Sequence, residues 1–226
     1  MAEVIVALDL PTGRAALQLV DRLPGLRWVK VGPVLFVREG PALIGELKAR
    51  GVRVFLDLKW HDIPNTVAEA ARHAAALQVD LATVHALGGR AMLEAAVAAA
   101  GALRLAAVTV LTSHTAESYG EAVGRDGDAE VLSEVVRLAR LAVGSGVGAL
   151  VTSPHEAAAV AEVAGPDRWL VVPGIRPEGS EAHDQKRAAT PREAVAAGAT
   201  HLVVGRPVTG AERPAEVYQE ICEAVS

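Results

Sequence analysis

Cysteine is almost absent from this 226-residue chain, which contains only Cys222. A single cysteine excludes an internal disulfide and a thiolate metal cage. Aromatic residues make up only 3% of the sequence, so alanine, valine and leucine must supply the core of a chain that is 51% hydrophobic. The sequence contains neither an apolar run of about 18 residues nor a basic leader followed by an apolar segment. We therefore expect a soluble, cytoplasmic protein.

Positive charge is neither abundant nor clustered in this chain. The formal net charge is -5, and lysine and arginine form no block, which argues against nucleic acid or a membrane as a partner. Lysine is especially scarce, because only four of the 22 basic residues are lysine and the rest are arginine. Lysine at positions 30 and 59 therefore indicates a need for a compact ammonium group that can give up a proton, which a guanidinium does not do in practice.

Short apolar runs alternate with alanine-rich amphipathic stretches from end to end. The runs predict strands at 4–8, 28–31, 52–58, 81–85, 105–110, 149–152, 169–172 and 201–204. Helical patterns lie between them, for example at 66–77, 89–100, 129–143 and 191–197. Eight strand–helix units without a linker predict a single domain, 1–226, folded as an α/β closed (β/α)₈ (TIM) barrel. No G-x-G-x-x-G or P-loop motif occurs, which disfavours an open sheet that binds a nucleotide cofactor.

One decapeptide, Asp-Leu-Lys-Trp-His-Asp-Ile-Pro-Asn-Thr at 57–66, concentrates charge at the end of a predicted strand. Asp57 and Lys59 are two residues apart, so on a strand their side chains point to the same face. Asp62 follows three residues later, where Pro64 marks a turn into a helix. A surface salt bridge or an acidic helix start is the simpler alternative. We favour a functional site, because charges rarely lie so close to a buried strand without one.

In a (β/α)₈ barrel, the active site lies at the carboxyl ends of the strands. The polar residues predicted there are Asp9, Lys30, Asp57, Lys59, His85, Thr112, Arg176 and Arg206. Singly, each could be a helix cap or a solvated loop residue. Together, they predict a cavity with carboxylates, ammonium groups and guanidinium groups, which suits an anionic, phosphorylated substrate.

Motifs in order along the whole chain resemble those of the orotidine 5′-monophosphate (OMP) decarboxylase family. They begin with Val6-Ala-Leu-Asp9, Val29-Lys-Val-Gly32 and the decapeptide. They continue with Thr109-Val-Leu-Thr112, Pro173-Gly-Ile-Arg176, Asp184-Gln-Lys-Arg187 and Val204-Gly-Arg-Pro-Val-Thr209. The resemblance implies a carboxy-lyase that converts OMP to uridine 5′-monophosphate (UMP) and carbon dioxide in pyrimidine biosynthesis, without a metal or an organic cofactor.

The resemblance also implies roles for the charged residues. Lys59 would stabilise the carbanion at C6 of the pyrimidine and protonate it. Asp57 would face the departing carboxylate, and Lys30 would complete an alternating row of charges with Asp57, Lys59 and Asp62. The family pattern assigns Asp62, Ile63 and Thr66 to the site of the neighbouring subunit, which implies a homodimer. On their own, Ile63 and Thr66 indicate only packing in the first turn of a helix.

Further binding residues follow from the same resemblance. Asp9 would hold ribose hydroxyls, and Thr112 would contact the pyrimidine edge. Arg176 and Gln185 match phosphate contacts and lie in a long polar segment, 173–189, which we expect to form a lid. Gly205 and Arg206 follow the last predicted strand, where barrels commonly bind phosphate.

Alternative functions remain open from the sequence. A Mg²⁺-dependent keto-sugar-phosphate decarboxylase would share Asp57, Lys59 and Asp62. A Schiff-base aldolase could use Lys59, although flanking carboxylates would keep this lysine protonated. A non-catalytic nucleotide-binding barrel is disfavoured by the row of charges. No histidine pair has the spacing of a metal site, so we predict no bound metal and expect hydrogen-bonded structural roles for His61, His85 and His114.

Overall fold

Eight parallel strands close into one barrel in chain order. The structure is a computed structural model that describes residues 2–124, 130–177 and 188–225. The strands are β1 (Glu3–Ala7), β2 (Trp28–Val31), β3 (Arg53–Trp60), β4 (Leu81–His85), β5 (Arg104–Val108), β6 (Ala149–Val151), β7 (Trp169–Pro173) and β8 (His201–Val204). The pairing of β8 with β1 closes the barrel, so no strand edge is left open.

Helices connect successive strands on the outside of the barrel. Those in the described ranges are α1 (Gly13–Asp21), α2 (Pro33–Glu39), α3 (Pro41–Ala49), α4 (Pro64–Ala76), α5 (Gly89–Ala99), α6 (Ala116–Val123), α7 (Val131–Gly144), α8 (Ala157–Ala164), α9 (Pro191–Ala196), α10 (Arg206–Thr209) and α11 (Pro214–Ala224). A 3₁₀ turn, Ala86–Gly88, precedes α5.

Several helices begin where the sequence supplies a starting residue. Proline occupies the first turn of α2, α3, α4, α9 and α11, where its missing N–H costs nothing. Thr12 caps α1 by accepting a hydrogen bond from the backbone N–H of Ala15. Thr190 and Glu193 form a reciprocal capping box at α9. These prolines and capping residues mark the points at which the helices begin.

The strands are buried on both faces, which explains their nearly continuous apolar sequences. Alternate residues fill the barrel interior, and the others pack against the helices. The interior cluster is Ile5, Ala7, Trp28, Phe55, Leu81, Ala106, Ala149, Val171 and Val203. Its two aromatic side chains, Trp28 and Phe55, lie among aliphatic residues from the other six strands.

The predicted (β/α)₈ barrel is confirmed, with small differences at the element ends. Strands 28–31, 81–85 and 201–204 have the predicted bounds, whereas β3 continues to Trp60 instead of ending at 58. This extension contains an irregularity in pairing with β4, which changes the geometry of the site. Within the described ranges, no helix combines the length and apolar character needed to cross a membrane.

Candidate active site

A charged layer lies directly above the apolar interior of the barrel. Side chains alternate along a strand, so residues two positions beyond the interior cluster point toward the same axis. Asp9 follows Ala7 by two positions, Lys30 follows Trp28, and Asp57 follows Phe55. The strand period therefore places carboxylate and ammonium groups at the carboxyl end of the barrel, as the sequence predicts.

Four side chains in this layer, Asp9, Lys30, Asp57 and Lys59, form the charged cluster. Lys30 Nζ lies 3.2 Å from Asp9 Oδ1 and 3.4 Å from Asp57 Oδ2. Lys59 Nζ lies 2.9 Å from Asp57 Oδ1. Asp57 thus bridges both ammonium groups and is the more buried of the two carboxylates in the cluster, with 8% of the residue exposed.

Burial and positive charge act in opposite directions on Asp57. Burial raises the pKa of its carboxyl group, but Lys30, Lys59 and hydrogen bonds from Lys59 and Thr83 outweigh that effect and hold the pKa below its ordinary value. The carboxylate is therefore ionised at neutral pH. A buried negative charge between two ammonium groups is tolerated because both oxygens have partners.

Lys59 has an unusual backbone conformation. Its φ angle is 51°, in the left-handed region that side chains other than glycine rarely adopt. Between Leu56 and Trp60 the pairing of β3 shifts, so that Trp60 lies opposite Val84 while Leu56 lies opposite Ala82. Two extra residues of β3 are accommodated in this bulge. Such a conformation typically costs about 1–3 kcal/mol and recurs at functional sites.

The charged cluster opens into a cavity of about 500 Å³, a size typical of small-ligand sites. Its lining includes eight residues that were predicted from the sequence, namely Asp9, Lys30, Asp57, Lys59, Thr112, Arg176, Gly205 and Arg206. Apolar side chains of the barrel interior, Phe55, Val151, Val171 and Val203, supply the remaining wall together with Ala7, Pro173 and Gly174. Charged groups that follow β1 or lie on β2 and β3 thus share one cavity with the arginines that follow β7 and β8.

Glycine at position 32 leaves room for the charged cluster. A Cβ atom built on Gly32 would lie 3.3 Å from Lys30 Nζ and 3.4 Å from Asp9 Oδ1. The first distance is tighter than most contacts to a Cβ atom, and the second is at the lower edge of ordinary van der Waals contact. A side chain at this position would therefore require the Lys30 ammonium group to shift by a few tenths of an ångström.

Asp62, Ile63 and Thr66 do not line this cavity. All three are exposed, and 67% of Ile63 is accessible. Asp62 Oδ1 accepts a hydrogen bond of 2.6 Å from the backbone N–H of Ile63, at the start of α4. Their assignment to a neighbouring subunit stays a prediction.

Gln185 and most of the expected lid lie outside the described residues. The described residues on either side of this segment are hydrogen-bonded to each other, because the backbone N–H of Arg176 donates to the carbonyl oxygen of Ala189 at 2.9 Å.

Two histidines at the rim depart from the expected hydrogen-bonded role. The rings of His61 and His85 stack with centroids 5.4 Å apart. Nδ1 of His85 is buried and has no hydrogen-bond partner among the described residues. Burial, with His61, Lys59 and His114 nearby, lowers the pKa of His85 to about 4, so its ring is neutral at pH 7. Among all the residues that the structure describes, no three His, Cys, Asp or Glu side chains converge as a metal site would require.

Thr83 is a site residue that the sequence reasoning missed. It lies on β4, it is 1% exposed, and its hydroxyl contacts both Asp57 and Lys59. The signal was present in the strand period, because Thr83 is two positions beyond the interior residue Leu81. A polar residue on the inward face of a buried strand merits the same attention as a charged one.

Comparisons with known proteins agree along the whole chain. Residues 2–221 match the model of the orotidine 5′-phosphate decarboxylase / HUMPS family. The chain is 51% identical to orotidine 5′-phosphate decarboxylase of Halorhodospira halophila (strain DSM 244 / SL1), with 99% of this chain and 95% of that protein covered. It is 52% identical to the protein of the same name from Anaeromyxobacter sp. (strain K), with 96% of each covered.

Solved structures give the same result. The crystal structure of orotidine 5′-phosphate decarboxylase from Lactobacillus acidophilus matches with a TM-score of 0.88 at 35% identity, over 100% of both chains. Sequence, fold and the charged cavity at the carboxyl ends of the strands thus lead to one assignment. The chain belongs to the orotidine 5′-phosphate decarboxylase / HUMPS family.

Proposed function

We propose that this protein, as a single domain spanning 1–226, is a carboxy-lyase that converts OMP to UMP and carbon dioxide in pyrimidine biosynthesis. The observation that carries the proposal is a single cavity that is lined both by the charged cluster and by Arg176 and Arg206. A nucleotide with a carboxylate on its base and a phosphate on its ribose presents charges at both ends. Two relatives named orotidine 5′-phosphate decarboxylase, which are 51% and 52% identical to this chain over nearly its full length, support this assignment.

The chemistry requires positive charge where electrons accumulate. When the bond between C6 and the carboxylate breaks, its electron pair stays on C6 and carbon dioxide leaves. The ammonium group of Lys59 stabilises this carbanion and then transfers a proton to C6. Asp57, ionised and 2.9 Å from Lys59 Nζ, holds the ammonium group in place at the cavity until that transfer.

The remaining residues of the cavity bind the rest of the nucleotide. Asp9, with a side chain that is 61% exposed, accepts hydrogen bonds from ribose hydroxyls. Thr112 contacts the edge of the pyrimidine. Arg206 and the backbone of Gly205 bind the phosphate, and Arg176 with Gln185 completes this end. Binding energy gained at the phosphate helps to hold the reacting carbon against Lys59.

Lys30 favours this reaction over a Mg²⁺-dependent decarboxylation of a keto-sugar phosphate. Its ammonium nitrogen lies between Asp9 and Asp57, at 3.2 Å and 3.4 Å from their nearest oxygens. That is the place that a divalent cation bridging the two carboxylates would take. An ammonium group there already supplies the compensating charge, so the proposed reaction uses neither a metal nor an organic cofactor.

Purified protein supplied with OMP tests the proposal directly. We expect UMP and carbon dioxide in equal amounts, at a rate that a chelator such as EDTA does not change. The Lys59→Ala variant, prepared in the same way, controls for contaminating activity from the expression host. Absence of UMP formation would refute the proposal, and loss of activity in EDTA that Mg²⁺ restores would favour the metal-dependent alternative.

We further propose that the active protein is a homodimer in which Asp62, Ile63 and Thr66 reach the partner's cavity. The support is three exposed aliphatic side chains that follow two paired strands. Val34 (78% exposed) and Val37 (84% exposed) lie on α2 after β2, and Ile63 (67% exposed) follows β3. Large exposed aliphatic side chains at one rim of a barrel are typical of an interface. Sedimentation of wild type and of Val37→Asp should give a dimer and a monomer respectively. A wild-type monomer at assay concentration that is fully active would contradict the shared site.

A further inference from the structure

The proposed function leaves Thr83 without a role, although its hydroxyl group is hydrogen-bonded to two residues of the site. Thr83 lies in the middle of β4, inside the barrel, and is 1% exposed. Its Oγ1 donates to Asp57 Oδ1 at 3.1 Å and accepts from the backbone N–H of Lys59 at 2.7 Å. One hydroxyl group therefore binds both residues that the reaction depends on.

The second of these hydrogen bonds replaces one that the strand ladder cannot make. In a regular pairing, each backbone group of β3 that points toward β4 would find a partner there. The register shift between Leu56 and Trp60 interrupts that ladder, and Lys59 occupies the bulge with a φ of 51°. A buried N–H group needs an acceptor, and the Thr83 hydroxyl provides it.

The first hydrogen bond closes a ring of contacts around Lys59. Asp57 Oδ1 receives the Lys59 ammonium group at 2.9 Å and the Thr83 hydroxyl at 3.1 Å. Lys59 is thus held twice, at its backbone by Thr83 directly and at its ammonium group by a carboxylate that Thr83 orients. Thr83 on β4 therefore restrains both the backbone of Lys59 and, through Asp57, its ammonium group.

We propose that Thr83 is a positioning residue for decarboxylation, which fixes the left-handed backbone of Lys59 and the orientation of Asp57 so that the ammonium group meets the reacting carbon. This inference rests on the proposed function. Thr83 touches no substrate in this scheme and acts through its two partners. A hydroxyl group is required because only a group that both donates and accepts can serve a carboxylate and an N–H at once.

Thr83→Val tests the proposal, since it keeps the shape of the side chain and removes the hydroxyl group. We expect kcat to fall about 100-fold, the loss associated with misplacing a catalytic group by about 1 Å. KM for OMP should change by less than about threefold, because binding of the distant phosphate is untouched. The acid limb of the pH–kcat profile should move to higher pH, because Asp57 loses a hydrogen bond that lowers its pKa. Thr83→Ser, which retains the hydroxyl group, should recover kcat to within about threefold of wild type.

Thr200→Val is the matched control for lost stability. Its hydroxyl also accepts a backbone N–H, from Leu170 at 2.8 Å, and donates to a carbonyl, Leu170 O at 3.2 Å. Thr200 precedes β8 at the opposite end of the barrel. We expect a comparable fall in Tm with kcat and the pH profile unchanged. The positioning role is refuted if Thr83→Val keeps kcat near wild type, if Thr83→Ser is equally impaired, or if Thr200→Val loses as much activity.

A measurement without substrate separates this inference from the proposed function. The chain contains only four lysines, so labelling with ¹⁵N-lysine gives at most four backbone amide signals, and Lys59→Arg assigns that of residue 59. We expect slow hydrogen exchange at the Lys59 amide in wild type and Thr83→Ser, and fast exchange in Thr83→Val. Failure of wild type to form UMP would refute the function alone. Slow exchange that persists in Thr83→Val would refute the anchoring by Thr83.

Discussion

Replacing Lys59 by arginine keeps the positive charge and removes the proposed acid. Lys59 lies on a bulge of β3 with its side chain 38% exposed, so the longer guanidinium group can be accommodated toward the cavity without unfolding the barrel. We expect Lys59→Arg to fold with a nearly unchanged Tm. Its kcat should nevertheless be close to that of Lys59→Ala, because two separate requirements fail together.

The size of the loss follows from those two requirements. A guanidinium group with a pKa above about 12 is a poor proton donor, and general acid catalysis is worth about 10²–10⁴ in rate. The guanidinium group is also planar and larger than the ammonium group that now lies 2.9 Å from Asp57 Oδ1. Displacing the positive charge by about 1 Å costs a further factor of about 10². We therefore expect kcat to fall by at least about 10⁴, or about 5.5 kcal/mol.

The assay is UMP formation by purified protein under saturating OMP, with Lys48→Arg as the matched control. Lys48 Nζ forms an ion pair of 2.7 Å with Asp80 Oδ2, and its side chain is 23% exposed. It lies on α3 and does not line the cavity, so Lys48→Arg should retain wild-type kcat. A kcat for Lys59→Arg above about a tenth of wild type would refute the assignment of Lys59 as proton donor.

Four further predictions test other parts of the site and the fold. Gly32→Ala should lower kcat about tenfold with little change in Tm, because its Cβ would lie 3.3 Å from an ammonium nitrogen of the charged cluster. Arg206→Ala and removal of the substrate phosphate should each lower kcat/KM severely, and full additivity of the two losses would contradict a shared contact. Lys59→Ala and Asp62→Ala proteins that are refolded together in equal amounts should recover roughly a quarter of wild-type activity. About half of the resulting dimers are mixed, and each mixed dimer has one intact site of two. If verified heterodimers recover no activity, Asp62 belongs to its own subunit's site. Burial and two nearby arginines lower the pKa of His201 to about 4. The stability that the neutral ring contributes is therefore complete above pH 6.5 and is lost as the pH falls toward 4. Tm should fall over this pH range, and the fall of Tm with pH should be smaller in His201→Phe.

Much of the fold could be predicted from local patterns in the sequence. Strands buried on both faces must be apolar along most of their length, so runs such as 28–31 and 201–204 can be recognised as strands from the sequence. Proline in the first turn of α4 marks where the helix after β3 begins. Eight such units in order leave few arrangements other than a closed barrel, because parallel strands need covered faces.

The charged part of the site was also predictable, for a related reason. A barrel gathers the carboxyl ends of all its strands at one rim, so polar residues at those ends must converge even though they are distant in sequence. Lys30 Nζ lies within 3.4 Å of a carboxylate oxygen of both Asp9 and Asp57 on this principle. Residue type and strand position were sufficient, and no knowledge of the exact pairing was needed.

The arrangement around Lys59 was decided by the tertiary structure alone. Strand period by itself predicts that Asp57 and Lys59 share a face of a regular strand, but the pairing of β3 with β4 inserts a bulge and turns Lys59 into a left-handed conformation. Which β4 side chain then serves its N–H depends on the register between two strands whose residues are 24 positions apart, Lys59 and Thr83. Local sequence determines which residues form strands and which face the interior, because backbone sterics and burial act on each segment separately. The hydrogen-bond partners at a bulge are set only when two strands pack together, because each strand supplies half of the geometry.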